Sequence, residues 1–80
     1  MTRLTVGQNS HLDMEYIGFI GLRGVSHHWW QITFAHRVPG AHVGYMVCKT
    51  KRGYEVYFSP SDSAPRVVLP NRCTLTDEEE

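Results

Sequence analysis

Eighty residues with 41% hydrophobic side chains, among them two Trp, four Tyr and three Phe, suit one small folded domain rather than a disordered chain. No apolar run reaches the roughly 18 residues of a membrane span, and the opening MTRLTVGQNS lacks a secretory signal's apolar stretch, so a cytoplasmic protein with no membrane partner is expected. The formal net charge is zero but unevenly laid out: all eight basic residues precede position 73, while Asp77, Glu78, Glu79 and Glu80 close the chain, leaving +4 on residues 1–76.

No Gly- and Pro-free stretch carries a helical apolar period. Short β-branched and aromatic runs separated by turn residues recur instead, which predicts an all-β chain. The first strand is expected at 4–6 and ends at GQNS. The second spans 15–22, where Gly18 and Gly21 suit bends because a missing side chain lets another backbone approach. After RGVSHH, the alternation over 29–38 turns Trp30, Ile32 and Phe34 inward and Trp29, Gln31, Thr33 and Arg37 outward. PGAH separates it from a strand at 43–50 containing Gly44, and KRG separates that from one at 54–58.

Gly53 suits the left-handed last position of a three-residue loop. That loop pairs Thr50 with Tyr54, Cys48 with Val56 and Met46 with Phe58, and sets Lys49 against Glu55 as a cross-strand ion pair. A short connection through Pro39 and Gly40 then places Phe34 opposite Met46, Ile32 opposite Cys48 and Trp30 opposite Thr50. The expected core row is Trp30, Ile32, Phe34, Met46, Cys48, Tyr54, Val56 and Phe58.

SPSDSAP reads as a turn in which Ser and Asp bond the local backbone, followed by a strand at 66–69, a PN turn and a short strand at 73–75. The ending VVLPNRCTL resembles the strand, 3₁₀ turn and strand that closes SH3-like barrels. The expected fold is a strongly bent small antiparallel sheet or SH3-like barrel of five to six strands over residues 1–76, with residues 77–80 as a disordered acidic tail.

Catalytic and metal chemistry find little footing. His28 and His36 lie eight residues apart on one strand, about 26 Å when extended, and cannot share an ion. His36 and His42 face each other across the PG turn but lack a third ligand. Cys48 and Cys73 are 25 residues apart with no CxxC and read as reduced; burial of Cys48 beside Ile32 and Val56 favours the unreactive neutral thiol. No GxSxG, Walker loop or HExxH occurs, so no enzyme activity, cofactor or metal is expected.

The opposite sheet face is the candidate site. Trp29, Arg37, Tyr45, Val47, Lys49 and Tyr57 share it in this register, with Lys51 and Arg52 at the adjoining hairpin tip. It is too apolar for plain solvent surface, and aromatic residues with arginine often dominate protein interfaces. The leading expectation is a binding protein that associates with itself, as a homo-oligomer, or with another protein. The alternative is single-stranded nucleic acid held by the basic hairpin and aromatic platforms, against which stands the pI of about 7.0. A third class is an enzyme or small-molecule site built at the symmetry axis of an oligomer.

Overall fold

A computed structural model describes residues 2–22, 25–70 and 72–77. They form an all-β protein of seven strands: β1 Thr2–Gly7, β2 Ser10–Leu22, β3 Val25–His36, β4 Met46–Thr50, β5 Gly53–Tyr57, β6 Val67–Pro70 and β7 Thr74–Asp77. All pair antiparallel in one sheet ordered β6-β5-β4-β3-β2-β1-β7, which curls into a half-barrel. The strand count exceeds the expected five to six because the short last segment pairs in full with β1, Thr2 standing opposite Asp77. Asp77 is therefore part of a strand rather than of a tail, and residues 78–80 lie outside the described set.

Strands β1 to β6 follow one another as a meander, and the chain then passes from β6 at one edge to β7 at the other. Between these strands the Cys73 amide donates to the Pro70 carbonyl at 3.2 Å. Curling buries one face as the core. Leu4, Leu12, Met14, Ile32, Val47 and Val56 are almost completely enclosed there, joined by Trp30, Tyr54 and Leu69. Each such aliphatic side chain contributes roughly 1.5 to 3 kcal/mol on leaving water.

Two bulges decide which residues reach that core. Asp13 pairs with Phe34 but Met14 pairs with Ile32, so Thr33 is an extra residue, and its hydroxyl donates to the Asp13 carbonyl at 3.1 Å. Phe34, expected inside, is thereby rotated to the outer face and is 49% exposed. The second bulge skips Ile17, between the Tyr16–Trp30 and Gly18–Trp29 pairs.

The β4–β5 hairpin corrects the expected register by one residue. Thr50 pairs with Gly53, Lys49 with Tyr54, Cys48 with Glu55 and Val47 with Val56, leaving a two-residue turn of Lys51 and Arg52. Gly53 does take positive φ, 142°, but it enters the ladder opposite Thr50. A one-residue slip exchanges the faces. Val47 is therefore core rather than surface, while Met46 and Cys48 leave the core row. Lys49 sits over the Tyr54 ring at 4.8 Å instead of pairing with Glu55. Phe58, beyond the end of β5, is exposed.

The β3–β4 register also differs: Trp29 pairs with Cys48, Trp30 with Val47 and Gln31 with Met46. The reason lies in the connection. Residues 37–45 do not form a short turn but a loop that buries Val38 and Ala41 against the core. Its return is fixed by two backbone bonds, Gly44 N–H to Ile32 O at 2.9 Å and Ile32 N–H to Tyr45 O at 2.8 Å. Gly40 in this loop has φ of 84°, and a β-carbon there would lie 2.5 Å from Val67 Cγ2, so only glycine fits.

Candidate binding surface

β2 and β3 have 13 and 12 residues, against six in β1 and five in β4. The β2–β3 hairpin therefore runs on past its neighbours. Trp30, inside the core, continues outward along this hairpin as a strip of rings. Tyr16 packs edge-on against Trp30 at 5.6 Å, His28 lies 5.8 Å from Tyr16, and Phe19 lies 4.7 Å from His28. A hydrogen bond of 2.7 Å joins the Tyr16 hydroxyl to His28 Nδ1. On the other side Trp30 meets Tyr54 at 6.5 Å, and Tyr54 carries the Lys49 ammonium over its ring.

The strip changes character along its length. Trp30 and Tyr54 are buried, and Lys49 is half-buried. Tyr16 and Phe19 are 52% and 63% exposed, and His28 is exposed beside them. Tyr16 and Phe19, each against His28, form a platform at the sheet surface with apolar faces and polar tips. Such surfaces suit a partner that brings flat or apolar groups. Burial, and secondarily Cys73, pushes the Tyr54 phenol up, so its proton stays in place through the neutral range.

The outer face holds a different site. Trp29 is only 3% exposed, packed 5.5 Å from Tyr57, and its indole N–H is buried with no hydrogen-bond partner. Beside it a half-open hollow of about 200 Å³ is lined by His27, Cys48, Glu55, Tyr57, Pro60 and Asp62, among others. The Glu55 carboxylate accepts from the Tyr57 hydroxyl at 2.8 Å and from the Cys48 thiol at 4.0 Å. Burial first, then the Glu55 charge, pushes the thiol up to about 11. Cys48 is therefore held as a neutral donor, without the thiolate that nucleophilic chemistry needs. Its environment differs from the one expected, since it lies by Trp29 and Glu55 rather than in the core beside Ile32.

The histidines take up other roles. His36 stacks on His11 at 5.1 Å, and His42 packs edge-on against Tyr45. No group of three or more His, Cys, Asp or Glu among the described residues could hold a metal ion. Both cysteines are free and buried.

The residues expected on one face are thus dispersed. Val47 belongs to the core and Lys49 to the inner strip, whereas Trp29 is buried on the outer face with half-buried Tyr57. Tyr45 is half-buried against the core and against Phe58. Arg37 is exposed just past β3, with φ of 54°, and Lys51 and Arg52 are exposed at the hairpin tip. The exposed members of the strip, Tyr16, Phe19 and His28, were not among the expected site residues. Their signal was the contrast between two long strands and the short ones flanking them. No helix among the described residues is long and apolar enough to cross a membrane. Comparison with protein-family models, with curated proteins and with solved structures gave no match.

Proposed function

We propose that this is a non-enzymatic cytoplasmic binding protein that docks a partner protein on the Tyr16, Phe19 and His28 end of the aromatic strip. The carrying observation is that Tyr16 and Phe19 are more than half exposed and in contact with His28, although Trp30 and Tyr54 at the other end are core. Clustered exposed aromatics of this kind are where interfaces concentrate their binding energy. The frame beneath is read as an SH3-like closure, supported by β7 joining β1 after the chain has crossed from β6.

A photo-crosslinking residue at position 19 tests this reading, with the same residue at Val68 on β6 as the exposed control. One discrete adduct to a protein other than a second copy of this chain is expected from position 19, lost when Tyr16→Ala is added. Adducts of equal yield from both positions, or none from position 19, refute it.

A second reading is favoured by one observation: Lys49 caps the strip at Tyr54, and Lys51 and Arg52 lie two and three residues beyond it. Single-stranded nucleic acid combines such cations with stacking rings. It requires retention of an oligonucleotide at low salt, steep loss as salt rises, and weakening on Lys49→Ala or Arg52→Ala. Salt-independent or absent binding removes it.

A further inference from the structure

β2 is paired with β3 along its length, but among the described residues β1 accompanies it only as far as Met14. Residues 18–22, Gly-Phe-Ile-Gly-Leu, therefore present an open sheet edge. The two outermost strands carry the protection that sheet proteins commonly use: β6 ends on Pro70 and β7 carries Asp77. The 18–22 segment has neither charge nor proline, and Phe19 in it is 63% exposed. Its inner limit is the bulge at Ile17, which breaks the alternation of faces.

We propose that this edge pairs antiparallel with the same edge of a second copy, about a twofold axis through Ile20. Opposed residues of a shared sheet must lie on the same face, so the axis has to pass through a residue and not between two. Centring on Ile20 is the register that uses only residues beyond the bulge. It sets Phe19 opposite Gly21 of the other copy, Gly18 opposite Leu22, and Ile20 opposite itself. Phe19 then lies across from a glycine that Ser26 Oγ flanks from the β3 side, and the glycines at 18 and 21 fall opposite larger residue types in the reversed sequence.

The edge is open at Gly18, where a β-carbon would meet nothing within 4 Å, and closer at Gly21, where Ser26 Oγ lies 2.9 Å from that point. That size complementarity of the segment with its own reverse is what identifies the occupant as a second copy rather than an unrelated strand. A chain of zero net charge sets no long-range repulsion against the encounter. The resulting interface is isologous and closed, using one patch on both copies. It goes beyond the docking reading above and does not depend on it: Phe19 belongs to both, but the pairing runs through the backbone edge, and Ile20 at its axis pairs with His27 on the outer face.

Sedimentation or light scattering should give twice the 9.2 kDa chain mass. Ile20→Lys opposes two like charges at the axis and should weaken the dimer by at least about tenfold, with the circular dichroism spectrum unchanged. Ile20→Cys should form a disulfide-linked dimer on mild oxidation, whereas Val68→Cys should not. A monomeric wild type at millimolar concentration overturns the proposal, as does a dimer indifferent to Ile20→Lys. Should the lysine variant fail to fold, absence of the Ile20→Cys cross-link overturns it independently. Tyr16→Ala should leave the dimer intact, so failure of strip docking and failure of edge pairing read out separately.

Discussion

Trp29 and Trp30 are consecutive and both nearly fully buried, yet they occupy separate environments on opposite faces of β3. Trp30 is core, 6.5 Å from Tyr54, whereas Trp29 packs 5.5 Å from Tyr57 on the outer face, with its indole N–H unpartnered. Burying a donor without a partner costs about 1 to 3 kcal/mol, which offsets part of what the ring's burial contributes. Trp29→Phe removes that donor together with some contact area and should leave stability within about 1 kcal/mol of wild type. Trp29→Ala should cost about 3 to 5 kcal/mol. Urea denaturation of the two variants checks the contrast; equal, large losses would show that the N–H is satisfied.

Stability should fall as pH rises from 9 to 11. The Cys48 thiol moves from its ordinary 9.0 to about 11 on folding, so the folded protein binds that proton more tightly than the unfolded chain does. The contribution is fully present below pH 9 and disappears as pH passes the folded value. Two units correspond to about 2 to 3 kcal/mol. Tyr54 and Cys73 are also pushed up, chiefly by burial, and steepen the same decline. Denaturant midpoints across this range should drop less in Cys48→Ala than in wild type.

Arg3 and Asp13 form an ion pair across β1 and β2, Nε to Oδ1 at 2.8 Å, with Asp13 almost enclosed. Arg3→Ala leaves a carboxylate with little access to water and should cost about 1 to 3 kcal/mol. Adding Asp13→Ala should recover part of that loss, because the carboxylate, left with His11 Nε2 at 3.9 Å, is then gone. A double-mutant cycle measures the coupling, and additive losses would contradict it.

Gly40 and Gly44 both have positive φ, 84° and 93°, but differ in surroundings. Alanine at Gly44 meets open space and carries only the backbone penalty, about 1 kcal/mol. Alanine at Gly40 adds the collision with Val67 and should cost at least about twice as much. Val67→Ala should rescue part of the Gly40→Ala loss in thermal melts and none of the Gly44→Ala loss.

Most of the strands were legible because alternation and turn residues are local properties. The inward Trp30 and Ile32 followed from them, as did the use of Asp62 in a local turn, where its carboxylate accepts from the Phe58 amide at 3.1 Å. GQNS read as a separator, but Gln8 and Asn9 alone make the turn, while Gly7 and Ser10 pair as strand residues and lengthen β2. Register was less accessible. It depends on where the backbone spends an extra residue, and Thr33 and Ile17 look like any other strand residues until their partners are known. The β3–β4 pairing depends in turn on Val38 and Ala41 finding the core, a contact that Pro39 and Gly40 conceal by reading as a tight turn. The candidate surface was missed for the same reason, since a protruding hairpin is defined by the lengths of its neighbours.

The placement of β1 also has a kinetic consequence. On one side it meets β2 through a two-residue turn, and on the other it meets β7, with Thr2 opposite Asp77, 75 positions away. The hairpins can form from local encounters, but β1 acquires its second neighbour only once β7 has been synthesised and brought round. Long loop closures of this kind place small β proteins among the slower two-state folders, at milliseconds to seconds. During that interval the outer edge of β1 remains available to any other extended chain.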